Sequence, residues 1–339
     1  MNFPERHLVV ELSVLDLVPV SEGKTPRDAL LNARELAGHV ERLGYRRYWV
    51  AEHHNMVGIA SAATSVVVGD IAGHTSTIRV GAGGIMLPNH SPLVIAEQFG
   101  TLESLYPGRI DLGLGRAPGT DRQTMLALRR DYSAADTFPQ DVLELQALLG
   151  PLQPGQTIQA VPGTDTNVPL WILGSSLYGA QLAAMLGLPY AFASHFAPDA
   201  LFQAIDIYRA KFESSESLST SHAMAGVNVI IADSDAEASH LFTSIQMRFA
   251  DMFRNANGYL KPPIQDIEIY WTPAEKARVS RMLACSFVGS PAKVRAELQT
   301  FVESTGVDEL MVASAIHDHN ARLRSYELLA GLGLQRREA

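Results

Sequence analysis

The residues best able to do chemistry fall in five short runs. Glu52-His53-His54-Asn55 sets consecutive polar side chains where an apolar run stops, and a histidine, with its pKa near neutrality, is the best general base a protein has. Adjacent residues of an extended chain face opposite sides, so one of His53 and His54 is expected to look into a site while the other packs outward or holds the first in place. Val80-Gly81-Ala82-Gly83-Gly84-Ile85-Met86-Leu87 carries three glycines in a run otherwise suited to a buried strand. Each costs packing and backbone entropy there, which points either to close approach by something flat or to a bulge or tight corner. In Arg109-Ile110-Asp111-Leu112-Gly113-Leu114-Gly115-Arg116-Ala117-Pro118-Gly119 the glycine spacing is not that of a dinucleotide fingerprint, and Pro118-Gly119 spoils the helix that such a turn opens. What remains is Arg116 on a small-residue loop, placed to hold a phosphate or to make a surface ion pair. Leu173-Gly174-Ser175-Ser176 precedes helical sequence; its backbone N–H groups, two hydroxyls and a helix N-terminus suit a phosphate monoester, and a serine N-cap explains the same residues. His317-Asp318-His319 could ligate a transition metal. No Gly-x-Ser-x-Gly elbow is present, and the lone Cys285 is expected at an apolar helix end, so nucleophilic catalysis has little support.

The scaffold for these runs is bounded by length and composition. The chain has 339 residues, 47% hydrophobic and 19% charged, enough apolar material for a large core and incompatible with disorder as its main state. Lys plus Arg 27 against Asp plus Glu 36 leaves a net charge of −9, which repels phosphate backbones and anionic membrane surfaces. One cysteine forms no internal disulfide, no signal-peptide pattern opens the chain, and no apolar run reaches the ~18 residues of a membrane span; a cytoplasmic location is the expectation. Strand-length apolar runs at 8–18, 48–52, 78–87, 109–115, 168–173, 189–194, 225–232 and 309–313 alternate with segments of helical period. The first helix has unusually complete signals: Thr25 to N-cap, Pro26 behind it, Asp28 at the third position, Gly44 after the end, and a stripe of Leu30, Ala33, Ala37, Val40 and Leu43. Further helices are expected at 61–73, from Ser91-Pro92 with Phe99, Leu102 and Leu105 inward, and at 137–149, 178–186, 235–254 and from Ser290-Pro291. Residues 150–167 read as an insertion and 255–272 as irregular. Eight strands each followed by helical sequence predict a single (β/α)8 TIM-like barrel rather than an open doubly wound sheet, with chemistry at the carboxyl ends of the strands.

Taken in order, Ala51-Glu52-His53-His54, the glycine run 80–88, Glu97-Gln98, Gly108 through Arg116, and Gly289-Ser290-Pro291 resemble the luciferase-like flavin-dependent monooxygenase family over about 8–329. The likeness is strongest to the branch of the bacterial luciferase α subunit and its non-luminous bacterial relatives. The resemblance implies a TIM-like barrel that binds FMN, as FMNH2 from an NAD(P)H-dependent flavin reductase. It reacts the flavin with O2 through a C4a-hydroperoxide and oxygenates a small organic substrate, usually as a homodimer. It assigns His53 the catalytic role, Arg116 the flavin phosphate, and Gly174, Ser175 and Ser176 the phosphate-binding loop. Gly83-Gly84 matches a non-prolyl cis peptide lying against the isoalloxazine. The chain departs from luciferase at Gly115, where a reactive cysteine stands, and in 258–271, which has no clear counterpart of the mobile loop; light emission is not expected. Some members use a deazaflavin, from which the Glu-His-His motif points away. A non-catalytic flavin-binding protein of the same fold is the alternative. A metallohydrolase is a distant third, because barrel hydrolases carry His-x-His on the first strand, here Glu11 to Leu17 without histidine.

Overall fold

The computed structural model describes residues 7–256 and 258–337. A short strand β1 (His7–Val9) is followed by β2 (Glu11–Asp16), β3 (Arg47–Val50), β4 (Arg79–Met86), β5 (Ile110–Gly115), β6 (Leu170–Gly174), β7 (Tyr190–Phe192), β8 (Ala223–Ile231), β9 (Ser286–Gly289), β10 (Glu309–Ala313) and β11 (Gln335–Arg337). Strands β2 to β8 pair in parallel in chain order, and β10 pairs with both β2 and β8, closing an eight-stranded (β/α)8 barrel. β8 forks: Met224–Asn228 pair with β10 and Asn228–Ile231 with β9, so the stretch between β8 and β10 leaves the cylinder at the rim.

Eleven helices surround the described barrel: α1 (Pro26–Arg42), α2 (Thr64–Gly73), α3 (Pro92–Leu105), α4 (Arg122–Ala127), α5 (Phe138–Leu149), α6 (Leu177–Met185), α7 (Leu201–Lys211), α8 (Asp235–Phe253), α9 (Pro273–Met282), α10 (Pro291–Thr305) and α11 (His319–Ala330). The capping box of α1 forms as its sequence requires: Thr25 Oγ1 accepts from the Asp28 N–H and the Asp28 carboxylate accepts from the Thr25 N–H. Its buried face is Ala29, Ala33, Leu36, Ala37 and Val40, rotated slightly from the expected stripe. Leu105, expected inward on α3, is 63% exposed at the last residue of that helix.

Side chains inside the barrel stack in layers, as period-2 alternation along each strand demands. The floor holds Ser13, Arg47, Asp111 and Glu309, linked by hydrogen bonds. Above them lie Leu15, Trp49, Trp171, Met224 and Met311, with the two indoles edge to face at 5.2 Å. The larger cluster, including Tyr48, Phe99, Leu112, Ile172 and Val312, fills the space between strands and helices.

Two readings of the chain's course needed correction, and a third, the irregular stretch 255–272, is irregular as expected among its described residues. The run 8–18 is two strands: β1 pairs antiparallel with β11 outside the barrel, and β2 stops where the Asp16 carboxylate accepts from the Val18 N–H at 2.8 Å, turning Val18 to a positive φ of 50°. Cys285 lies in the turn between α9 and β9 rather than on a helix. The irregular region is anchored, with Leu260 fully buried and bridged to Ser21, and α9 follows it behind a Thr272–Glu275 capping box.

Candidate active site

The chain leaving β3 crosses the rim as Ala51-Glu52-His53-His54, and the two histidines part as alternation requires. His54 directs Nε2 at Glu52 Oε1, 2.7 Å away, while His90, from the turn before α3, lies 2.9 Å from both carboxylate oxygens. The Met86 N–H and Asn89 Nδ2 also donate to Glu52, at 3.0 and 3.3 Å. Burial by itself would raise the pKa of Glu52, but the bonds from His54 and His90 and the Met86 amide hold it at about 2. The Glu52 bond in turn raises His54. Glu52 thus ties the end of β3 to the end of β4 and fixes the backbone on either side of His53.

His53 points the other way. Its Nδ1 is enclosed and has no hydrogen-bond partner among the described residues. Burial lowers its pKa, the Gly119 carbonyl opposes that, and the charge of Arg248 lowers it further, so the imidazole is neutral at pH 7 and free to accept a proton. His195, just past β7, also has an enclosed Nδ1 without partner; burial, then His53, push its pKa down to about 4. Its position is built in: Asn228 Nδ2 donates to the His195 carbonyl at 2.6 Å, its ring packs edge-on against Phe196 at 4.9 Å, and a Cβ at Gly226 would run into its Nδ1.

Gly83 and Gly84 sit where β4 bulges, the register with β5 shifting between Ala82 and Ile85, and the peptide joining them is cis. Neither position has room for a side chain: a Cβ on Gly83 would lie 2.9 Å from Leu15 Cδ1 and from Trp49 Cε3, and one on Gly84 2.6 Å from the Gly113 carbonyl oxygen. The barrel wall therefore presents bare backbone at this height.

One strand further round, the exposed Arg116 lays its guanidinium over the Tyr178 ring at 4.1 Å and has no acid or hydrogen-bond partner among the described residues, which removes the surface ion-pair reading. Ser175 and Ser176 are exposed beside it, and Ser176, the N-cap of α6, makes no side-chain capping bond. The serines are therefore not spent as a cap, and the first N–H groups of α6, two hydroxyls and a stacked arginine remain available together.

The histidines of His317-Asp318-His319 do not converge. Asp318 caps α11, His319 Nε2 lies 3.3 Å from Glu35, and His317 Nε2 faces the Glu22 carbonyl at 3.4 Å. Among the described residues, Glu52, His54 and His90 are the set whose ligand atoms gather within 4.8 Å of one another, and their contacts are already spent on each other. Burial pushes the Cys285 thiol up to about 11, so it supplies no thiolate. A cleft of about 710 Å³ lies at the floor, lined by Arg46, Arg47, Arg79, Asp111, His222 and Asp308 among others, away from the rim.

His195, Arg248 and His90 escaped sequence reasoning. His195 follows an expected strand directly, which is the one local signal it carried; the role of His90 depends on Glu52, 38 positions earlier in the chain.

A family model described as luciferase-like monooxygenase matches residues 10–309. A protein named luciferase-like monooxygenase from Escherichia coli strain K12 is 54% identical over 320 residues, covering 94% of this chain and 96% of its own. The crystal structure of apo-MsnO8 superposes with a TM-score of 0.89 at 39% identity, over 95% of this chain and 98% of that one. The oxygenating constituent of 3,6-diketocamphane monooxygenase from Pseudomonas putida, a structure in complex with FMN, shares the fold at TM-score 0.74 and 18% identity, over 96% and 97% of the two chains. F420-dependent enzymes share it at 15–16% identity. No helix among the described residues is long and apolar enough to cross a membrane.

Proposed function

Because the chain belongs to the luciferase-like monooxygenase family, we propose that it is a flavin-dependent monooxygenase using reduced FMN and O2 to oxygenate a small organic substrate, with the reduced flavin supplied by an NAD(P)H-dependent reductase. The observation that carries this reading is the unspent phosphate cradle, Arg116 without an acid beside the uncapped start of α6. It is separated from the free imidazole of His53 by the side-chain-free wall at Gly83-Gly84. A phosphate, a planar ring and a proton acceptor are the three things such a set fits.

Reduced FMN, when bound, supplies the electron pair that activates O2. The protein's contribution follows from its residues. Arg116, Ser175, Ser176 and the α6 N–H groups would hold the phosphate dianion by charge-assisted bonds. The bare backbone of Gly83-Gly84 lets an aromatic ring lie flat against β4. His53, neutral and desolvated, holds or moves one proton at its Nδ1, and the Glu52 anchor keeps it from turning away. A ring held over His53 would shield that proton from water.

Anaerobic titration tests the reading. FMNH2 is expected to bind, and Arg116→Ala to weaken it by about tenfold, the worth of one charge-assisted pair, while a reduced F420-type deazaflavin binds more weakly. Tighter binding of the deazaflavin reassigns the coenzyme. Tight FMNH2 binding with no oxygenated product from any donor, in the presence of a reductase and O2, leaves a flavin carrier instead of an enzyme.

A further inference from the structure

Inside the barrel the apolar layer of Leu15, Trp49, Met224 and Met311 is the bottom of the space that the rim surrounds. Three features stand above it by contact. Gly83 lies against Leu15 and Trp49, which a side chain on it would strike. Ala51 packs into the layer, and His53 is the next residue on the same side of the chain. Gly226 is the next inward-facing residue of β8 after Met224, and the His195 ring takes the place of its missing side chain: a Cβ there would run into Nδ1 and come within 3.3 Å of Cε1. Asn228, inward again, donates from Nδ2 to the His195 carbonyl at 2.6 Å and to Ser286 Oγ at 3.2 Å. The imidazole is therefore clamped inside the mouth of the barrel, over the same layer as His53 and the Gly83 wall.

The clamp decides which nitrogen of His195 carries the proton. Nδ1 is enclosed against the Gly226 methylene, where an N–H finds no acceptor among the described residues and a bare nitrogen meets only C–H. Nε2, on a half-buried residue, makes no hydrogen bond with any described residue and keeps the proton as a donor. A second proton would have to enter the enclosed Nδ1, and burial pushes the pKa of His195 down to about 4, so the donor is uncharged at neutral pH. We propose that His195 is a specificity-determining residue of the rim, whose Nε2–H holds an acceptor oxygen of an uncharged, largely apolar substrate over the Leu15–Met311 layer and beside His53. A carboxylate would find no counter-charge in such a donor. An alcohol would need an acceptor for its own O–H, and the one at hand, His53 Nδ1, is wanted for the proton. The substrate class is then a ketone, ester or amide carried on a small apolar body. This rests on the monooxygenase reading for the word substrate, but the donor itself is testable without turnover.

Long-range ¹H–¹⁵N NMR spectra of the imidazoles, in protein loaded with oxidised FMN, are expected to show His195 as the Nε2–H tautomer, unchanged from pH ~8 to ~5.5. Acetophenone and methyl benzoate are then compared with α-methylstyrene and 2-phenyl-1-butene, the same shapes with C=CH2 in place of C=O. Binding is followed by the visible absorbance of the flavin and by the His195 signals, and affinities are read as the ratio within each pair, because the hydrocarbons leave water more readily. The oxygen compounds are expected to shift the Nε2 signal and the hydrocarbons not. His195→Leu is expected to lower the ratio by about tenfold. His195→Gln, whose amide N–H reaches the place of Nε2, keeps most of it, whereas His195→Asn, whose amide stops at the place of Nδ1, loses it; FMN affinity within about twofold across the variants is the sign of a folded site. An Nδ1–H tautomer in the free protein, a ratio that survives His195→Leu, a ratio kept by Asn and lost by Gln, or no shift of Nε2 with either oxygen compound up to ~10 mM overturns the proposal. Should FMN itself fail to bind, the monooxygenase reading falls, and the tautomer and the ratios are read on the unloaded protein by the His195 signals, so the two failures are told apart.

Discussion

At the floor of the barrel Arg47, Arg79, Asp111, Glu309 and His222 are paired with one another, whereas at the rim the Nδ1 atoms of His53 and His195 have no partner and Arg116 meets no acid among the described residues. The floor also holds a cleft of about 710 Å³, so volume alone does not mark the rim. What sets the two ends apart is the state of the charges. In the floor network each group satisfies another, and Glu309 is held at about 2 because Arg47 and His222 outweigh the burial that would raise it. Such a network stabilises and locates the strands but has nothing left to offer a ligand. The rim keeps several donors and acceptors unspent, which costs stability locally, while the Glu52 hub there is bonded as the support for its neighbour and Asp16, at the end of β2, is bonded by Val18, Tyr48 and Arg322.

This contrast can be broken in three places. The largest effect is expected at the floor: Arg47→Ala leaves Glu309 and part of Asp111 as buried charges without their main partner, a loss of about 3–5 kcal/mol measurable as a lowered urea midpoint. Flavin affinity of the protein that remains folded is expected to hold within about twofold. Flavin affinity falling in step with stability would show the floor to be part of the site.

His53→Ala reverses the pattern. Coupled oxygenation is expected to drop by ~10²-fold or more, the usual worth of a positioned acid or base, with flavin still bound and the urea midpoint little changed. Unchanged product per reduced flavin removes His53 from the chemistry.

The smallest effect concerns His195. Its pKa of about 4 in the folded protein lies below the ordinary histidine value of ~6.5. As pH falls below ~6.5 the unfolded chain takes up this proton first, so stability declines until pH about 4, where the folded protein is protonated as well. The His195 share of that loss is on the order of 2 kcal/mol, and His195→Asn should make the decline in urea midpoint between pH 7 and 4.5 shallower. An equally steep decline in the variant assigns the acid sensitivity elsewhere.

Much of the scaffold was legible because its signals are local. Thr25, Pro26 and Asp28 specify the start of α1 within one turn, and the strand at 309–313 is bounded as the pattern predicts. β1 was not separable from β2, because what splits them is pairing with β11, more than three hundred residues along the chain. The site divides in the same way. His53 and Arg116 stand at the carboxyl ends of readable strands. The setting of His195 is a property of three-dimensional space: its neighbours in sequence show only that it follows a strand, and the folded chain shows which face of β8 it meets. The meaning of Gly226 was hidden as well, since the histidine that needs its missing side chain arrives from the neighbouring strand.

The forked pairing of β8 sets a boundary on how this molecule can vary. Met224–Asn228 meet β10 directly, so strand pairing closes the ring without β9. Within the segment between β8 and β10, α10 belongs to the core, with Val294, Leu298 and Val302 buried in it, whereas α9 and β9 lie outside the closed ring. Changes confined to its outer part, α9 and β9, are therefore expected to leave the closure of the barrel intact.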